Sequence, residues 1–155
     1  MRIFSRVVFG MVQWAARNGL ATDPKAATAE EKGNSRRRTG IRGETFAYWY
    51  LRRNGYTIIA KNFQVSGTKG EIDLVGYDGQ VLAFIEVKTR SGDPSAFGLP
   101  EDAVNSDKRH YVSRIARQFL AERKMRGVPF RFDVVAIEAR RGSRPVVRLH
   151  KGAFT

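Results

Sequence analysis

Two stretches dominated by apolar and β-branched residues, 70–77 (GEIDLVGY) and 80–89 (QVLAFIEVKT), meet at Asp78-Gly79. Asp-Gly between two such runs is a strong short-range signal for a two-residue hairpin loop, because Gly accepts the positive φ that such a loop demands. The spacing predicts the loop at Asp78-Gly79, which pairs Tyr77 with Gln80, Val75 with Leu82, Asp73 with Phe84 and Glu71 with Glu86. Paired residues share a face and side chains alternate, so Glu71, Asp73, Val75 and Tyr77 lie on one side with Leu82, Phe84, Glu86 and Lys88. The other side, with Ile72, Leu74, Val81, Ala83, Ile85 and Val87, is wholly apolar. A hairpin of this kind is expected to be central in its sheet and covered on both faces, with its charges at one end.

Elements of both types surround the hairpin. Residues 42–54 place Phe46, Ala47, Tyr50 and Leu51 on one stripe and end at Gly55, which predicts a helix with a glycine stop. Residues 56–65 read as a strand. A longer helix is predicted over about 101–126, with Val104, Tyr111, Val112, Ile115, Phe119 and Leu120 inward and Gly127 as its stop. Residues 130–138 form a further strand, with an optional last one at 145–150. The order is α-β-β-β-α-β, an α/β chain with a sheet flanked by helices.

Ahead of this domain, expected at 40–155, stands a basic extension, 1–39. It carries Arg2, Arg6, Arg17, Lys25, Lys32, Arg36, Arg37 and Arg38 against Asp23, Glu30 and Glu31, a net of 8 − 3 = +5 out of +13 for the chain. Ile3, Phe4, Val7, Val8, Met11, Val12 and Ala15 recur at helical spacing, which predicts a short amphipathic helix. Residues 21–38 are small, polar and charged and read as a flexible linker. The amphipathic start, within residues 1–20, admits a second reading as a membrane-surface anchor. A signal peptide is a rival reading, opposed by Gly10 and Gln13 in the apolar run and by the lack of a clean cleavage site.

The chain has no cysteine, which excludes disulfides, thiolate-bound zinc, iron–sulfur clusters and thiol nucleophiles, and fits a reducing cytoplasm. Its excess of positive charge makes nucleic acid the first partner to expect. Phosphate contacts are expected from Arg52, Arg53, Lys69, Arg90, Arg109 and Lys108. The last lies on the inward stripe with Val104, Val112 and Ile115, where it could equally snorkel past the core edge. No base-reading motif is evident, so recognition by shape is expected. No small-molecule cofactor is indicated.

The charged end of the hairpin supports two readings. Asp73 and Glu86, diagonal in the predicted register at roughly 7–8 Å between backbones, can converge on a cation. Two carboxylates completed by water suit magnesium or manganese. Glu71 opposite Glu86 juxtaposes like charges, which a cation relieves. Alternatively, cross-strand pairs such as Glu71 with Lys88 and Lys69 with Glu86 account for part of the pattern as ion pairs alone. With a metal present, Lys88 beside it suits phosphodiester hydrolysis.

The motifs GETFAYWYLRRNGY, KNF, GEIDLV, FIEVKTR, AVNSDKR and RFDVV resemble the YraN family of uncharacterised bacterial proteins, over about 40–138. That family is similar to archaeal Holliday-junction resolvases and falls within the PD-(D/E)xK superfamily. The resemblance implies a restriction-endonuclease-like mixed sheet and a divalent-metal endonuclease acting on branched or structured DNA. It also implies Asp73, Glu86 and Lys88 as catalytic residues, Glu44 from the first domain helix joining the metal ligands, and a homodimer. Where the superfamily name has Pro-Asp, this chain has Ile72-Asp73. The alternative is a nucleic-acid-binding module that keeps the fold without catalysis.

Overall fold

The structure is a computed structural model and describes residues 2–19, 29–91, 106–139 and 143–155. Its elements are α1 (Arg2–Gly19), α2 (Ala29–Arg53), β1 (Thr57–Phe63), β2 (Ile72–Asp78), β3 (Val81–Ser91), α3 (Ser106–Glu122), β4 (Phe130–Ala139) and β5 (Val146–Phe154). The strands form one five-stranded mixed sheet in the order β1-β2-β3-β4-β5, so β3 is central as its apolar faces require. None of the helices described is long and apolar enough to cross a membrane. The chain divides into two compact units, Met1–Asn54 with Val87–Phe97 and Ala136–Arg148, and Gly55–Glu86 with Gly98–Val135 and Leu149–Thr155.

In the second unit, α3 lays Val112, Ile115, Ala116 and Phe119 against Val75, Leu82, Phe84, Phe132, Val134 and Phe154. Phe119 meets Phe63 and Phe84 edge-on at centroid separations of 4.9 and 5.6 Å, and the Arg123 guanidinium sits 3.8 Å above its ring centroid. Each such side chain removed from water contributes about 1.5–3 kcal/mol, so this layer is the unit's main source of stability. Tyr111, expected inside, is 43% exposed, one step off the stripe that Val112 and Ile115 define.

The hairpin pairs Asp78 with Val81, Tyr77 with Leu82, Val75 with Phe84 and Leu74 with Ile85. The loop is therefore Gly79-Gln80, one residue later than predicted, and every partner moves by two. Gly79 has φ +62° and Gln80 does not take positive φ, the pattern of a type II′ turn with glycine first. Because the shift is two, the faces read from the sequence are unchanged. β1 pairs antiparallel with β2 through a bulge between Ile58 and Ala60. Opposite the bulge, a Cβ on Gly76 would stand 2.8 Å from the Thr57 carbonyl oxygen and from Ile58 Cδ1, so only glycine admits this approach.

Near the turn, a polar network ties β2, β4 and β5 to Tyr56, the residue before β1. Asp133 is fully buried and accepts hydrogen bonds from Arg131 Nε (2.8 Å), Tyr56 Oη (3.1 Å) and the Gly152 backbone N–H (2.9 Å). Arg131 Nη2 also donates to Asp78 (2.6 Å), as does Lys151 Nζ (2.6 Å). Burial, reinforced by the charges of Asp133 and Asp78, pushes the Tyr56 hydroxyl well up, so it stays protonated and donates. The hydrogen bonds from Lys151 and Arg131 hold the Asp78 carboxyl below the ordinary carboxylate range.

In the first unit, α1 rests on α2 through Phe9, which is buried with its ring 5.3 Å from Phe46 and 6.1 Å from Tyr50. Phe46, Ala47 and Leu51 are fully buried, as their stripe predicts. Gly43 lies so close to β3 that a Cβ there would stand 1.8 Å from Thr89 Oγ1. Residues 29–38 correct the expected linker: they are the start of α2, which runs unbroken through Gly40. Ala29, Glu30, Glu31, Lys32 and Arg36–Arg38 are good helix formers, and propensity prevails here over the lack of an apolar stripe. The rest of the predicted linker, up to residue 28, and Val104 in the predicted long helix lie outside the described residues.

α3 ends earlier than predicted. The Met125 N–H reaches the Leu120 carbonyl (2.9 Å) and the Lys124 N–H reaches Ala121 (3.1 Å), with Lys124 left-handed at φ +54°. This is a Schellman cap in which lysine occupies the position that favours glycine. Lys124→Gly is expected to raise the unfolding free energy by about 0.5–1 kcal/mol, read from urea denaturation.

Asp78 gives a second expectation, with a sign fixed by its depressed native value. Between that value and the unfolded value of about 3.9 the unfolded chain binds more protons, so stability rises with pH through the window and is fully present above it. Asp78→Asn is expected to cost about 1–2 kcal/mol at pH 7. The gap from the parent chain should close as pH falls below about 4, as measured by denaturation of both proteins across a pH series.

Candidate functional site

Five consecutive residues of β2, Ile72–Gly76, and five of β3, Leu82–Glu86, are buried, so the hairpin is covered on both faces. Asp73 and Glu86 are only 8% and 4% exposed. They stand one step beyond the Leu74–Ile85 pair on their respective strands, on the face that Val75 and Phe84 present to α3. At that register, side chains of an antiparallel pair have Cβ atoms roughly 4.5–5.5 Å apart, closer than the diagonal placement predicted from the sequence. Extended by that one step, the register makes the two buried carboxylates an acid pair on one face of the hairpin.

A cation reaches Glu86 from α3. Lys108, on the same helix face as Val112 and Ile115, forms an ion pair with Glu86 Oε1. The sequence assigns Lys108 to that inward stripe but as a phosphate contact, and the Glu86 pairing could not be read from spacing. Glu71, expected opposite Glu86, is half-buried and accepts a hydrogen bond from Gln64 Nε2 at 2.8 Å. Lys69 is exposed.

Lys88 and Arg90 follow Glu86 on β3, at the two-residue spacing that keeps one face of a strand, and both are half-buried. They belong to the first unit, as does Glu44, half-buried on α2. Among the described residues, no group of three or more His, Asp or Glu side chains is gathered so as to hold a metal ion.

Three of the arginines expected on phosphate lie over aromatic rings. Arg52 donates to Tyr48 Oη (2.9 Å), with its guanidinium 5.6 Å from the ring centroids of Tyr48 and Trp49. Arg53 stands 5.1 Å over Phe9, and Arg109 5.7 Å over Phe154. Such contacts orient a guanidinium while leaving its charge available.

Fold and site together define a small mixed α/β protein with an acid pair at the end of its central hairpin. The chain belongs to the uncharacterised protein family UPF0102, whose model matches residues 43–137. It is 42% identical over 117 residues to the UPF0102 protein of Koribacter versatilis, covering 76% of this chain and 79% of that one. It is 43% identical over 118 residues to that of Symbiobacterium thermophilum, covering 76% and 97%. The matching protein of Nocardia farcinica is 38% identical over 129 residues, covering 83% and 98%.

Removing one member of a buried ion pair leaves the other desolvated, a cost reduced here because the lysine side chain is 36% exposed. Lys108→Met is expected to lower stability by about 1–2 kcal/mol, measured by urea denaturation, with most of the loss absent when Glu86→Gln is already in place.

Proposed function

We propose that this protein is a divalent-metal-dependent endonuclease acting on branched or otherwise structured DNA. The observation that carries the reading is the buried acid pair, Asp73 and Glu86, with Lys88 two residues further along the same strand. Two carboxylates side by side in a low-dielectric site repel each other, and a cation between them relieves that cost. Their oxygens fit magnesium or manganese, which bind one or two carboxylates and retain waters, and the Lys108 ammonium on Glu86 marks where positive charge is favoured. An ion there would supply Lewis acidity toward a phosphoryl oxygen and a more acidic bound water. Asp73 and Glu86 would hold it, Lys88 would stabilise negative charge growing on the phosphoryl group, and Glu44 and Glu71 would support the ligands. Arg52, Arg53, Lys69, Arg90 and Arg109 would carry the DNA backbone, helped by the +13 charge of the chain. A homodimer would match a branched substrate of twofold symmetry. The cysteine-free composition fits a reducing cytoplasm.

The Lys108–Glu86 pair itself favours a second reading: the carboxylate is charge-compensated by the chain's own lysine, as in a nucleic-acid-binding module that does no chemistry. Calorimetric titration of magnesium and then manganese separates the two, run on the parent chain and on the Asp73→Asn, Glu86→Gln double variant. Cleavage of a labelled four-way junction is assayed beside it. The nuclease reading expects metal binding in the parent that the double variant loses, with cleavage reduced about 100-fold or more. Junction binding with no metal uptake at millimolar concentration would establish the binding module instead.

A further inference from the structure

Helix α1 carries apolar side chains on two sides. Phe9 is buried against Phe46 and Tyr50, so α1 is held to α2 by one aromatic anchor. Val7, Met11 and Trp14, spaced by four and three residues, form a second stripe that is 59, 67 and 74% exposed. Isolated exposed apolar residues are ordinary, but three large ones stacked on a single helix face mark an interaction surface.

The charge of the helix selects the occupant. α1 contains Arg2, Arg6 and Arg17 and neither Asp nor Glu. A wholly cationic helix with an exposed apolar stripe complements a surface that is apolar beneath and anionic above. With 18 residues and no window apolar enough to cross a bilayer, it is suited to lie in the interface. Tryptophan is the most exposed of the three, and its ring favours the headgroup level. The helix also lies outside residues 43–137, the part matched by the family model, so this surface is additional to the shared domain. We infer that α1 docks the protein on an anionic phospholipid membrane surface through Val7, Met11 and Trp14.

The test is vesicle flotation of the full chain with phosphatidylcholine alone and with phosphatidylcholine mixed with phosphatidylglycerol. A chain of charge +13 is drawn to any anionic vesicle, so the decisive variant is charge-neutral: Val7→Ser, Met11→Ser and Trp14→Ser together. All three side chains are exposed, and circular dichroism checks that helix content is kept. The parent should float with the mixed vesicles and not with phosphatidylcholine alone, and the triple variant should partition about tenfold less. Equal partition of parent and variant would overturn the inference, as binding would then rest on net charge. No flotation of the parent would overturn it too, and if sedimentation then showed a dimer that the triple variant dissolves, the stripe would belong to a second copy.

Discussion

The register of β2 on β3 is set at the turn, where Gly79 takes φ +62° and Asp78 closes on Val81. Side-chain period in a strand is two, so a slip of one residue would turn Val75 away from Phe84 and move Asp73 to the opposite face from Glu86. The apolar layer under α3 opposes such a slip, because Val75, Leu82 and Phe84 must all face Phe119 and Ile115 together. The acid pair is therefore a consequence of core packing: once the hydrophobic pairs are in place, two carboxylates are brought side by side at the end of the same ladder. Their burial is supported by apolar packing elsewhere on the hairpin.

Buried carboxylates sit toward both ends of this hairpin, and the ends are built differently. At the turn, Asp133 is fully buried and receives a backbone N–H, a phenol and a guanidinium, while Asp78 receives Arg131 and Lys151. Those donors are fixed by strands and by the planar fork of arginine, an arrangement suited to rigidity. At the other end, Glu86 pairs with the ammonium of Lys108, a flexible four-carbon side chain that is 36% exposed. Loss of either cation strands a buried carboxylate, Glu86 or Asp133, but the exposure of the Lys108 side chain reduces its share of that cost. The two ends thus separate a network of fixed donors from a carboxylate held by one flexible lysine.

Alternation and helical spacing made the hairpin faces, the buried stripe of α2 and the inward position of Lys108 legible in the sequence. Which two residues form the loop was not, since Asp78-Gly79 and Gly79-Gln80 both place glycine in a tight turn, as first residue in one type and second in the other. The Glu86 partner was hidden for a related reason: it comes from a helix 22 residues away, beyond any strand arithmetic. The Asp133 network joins Tyr56, Asp78, Arg131 and Lys151 over separations as long as 77 residues, and no local pattern announces it. The cap at Lys124 was misplaced because an apolar contact, Met125 folding back on the core beside Leu120, outweighs the glycine preference of the turn. Likewise, 29–38 reads as linker from its lack of apolar residues, yet a helix nucleated by the buried Phe46, Ala47 and Leu51 can propagate backwards at little cost per residue.

The same propagation bears on α1. A short helix with exposed Val7, Met11 and Trp14 would be marginal in water if alone, because nucleation is unfavourable and the apolar stripe gains nothing there. Phe9 changes this balance: seated on Phe46 and Tyr50, with the Arg53 guanidinium 5.1 Å over its ring, it fixes one face of α1 to an already folded helix. The opposite stripe is thereby pre-organised, and a surface that binds it need not supply the ordering of the helix. Arg53 sits at the C-terminal turn of α2, where the helix dipole favours positive charge, so the aromatic anchor is reinforced by electrostatics that the fold supplies anyway. An exposed apolar stripe can thus be kept on this chain because its stability is borne by the buried aromatic contact behind it.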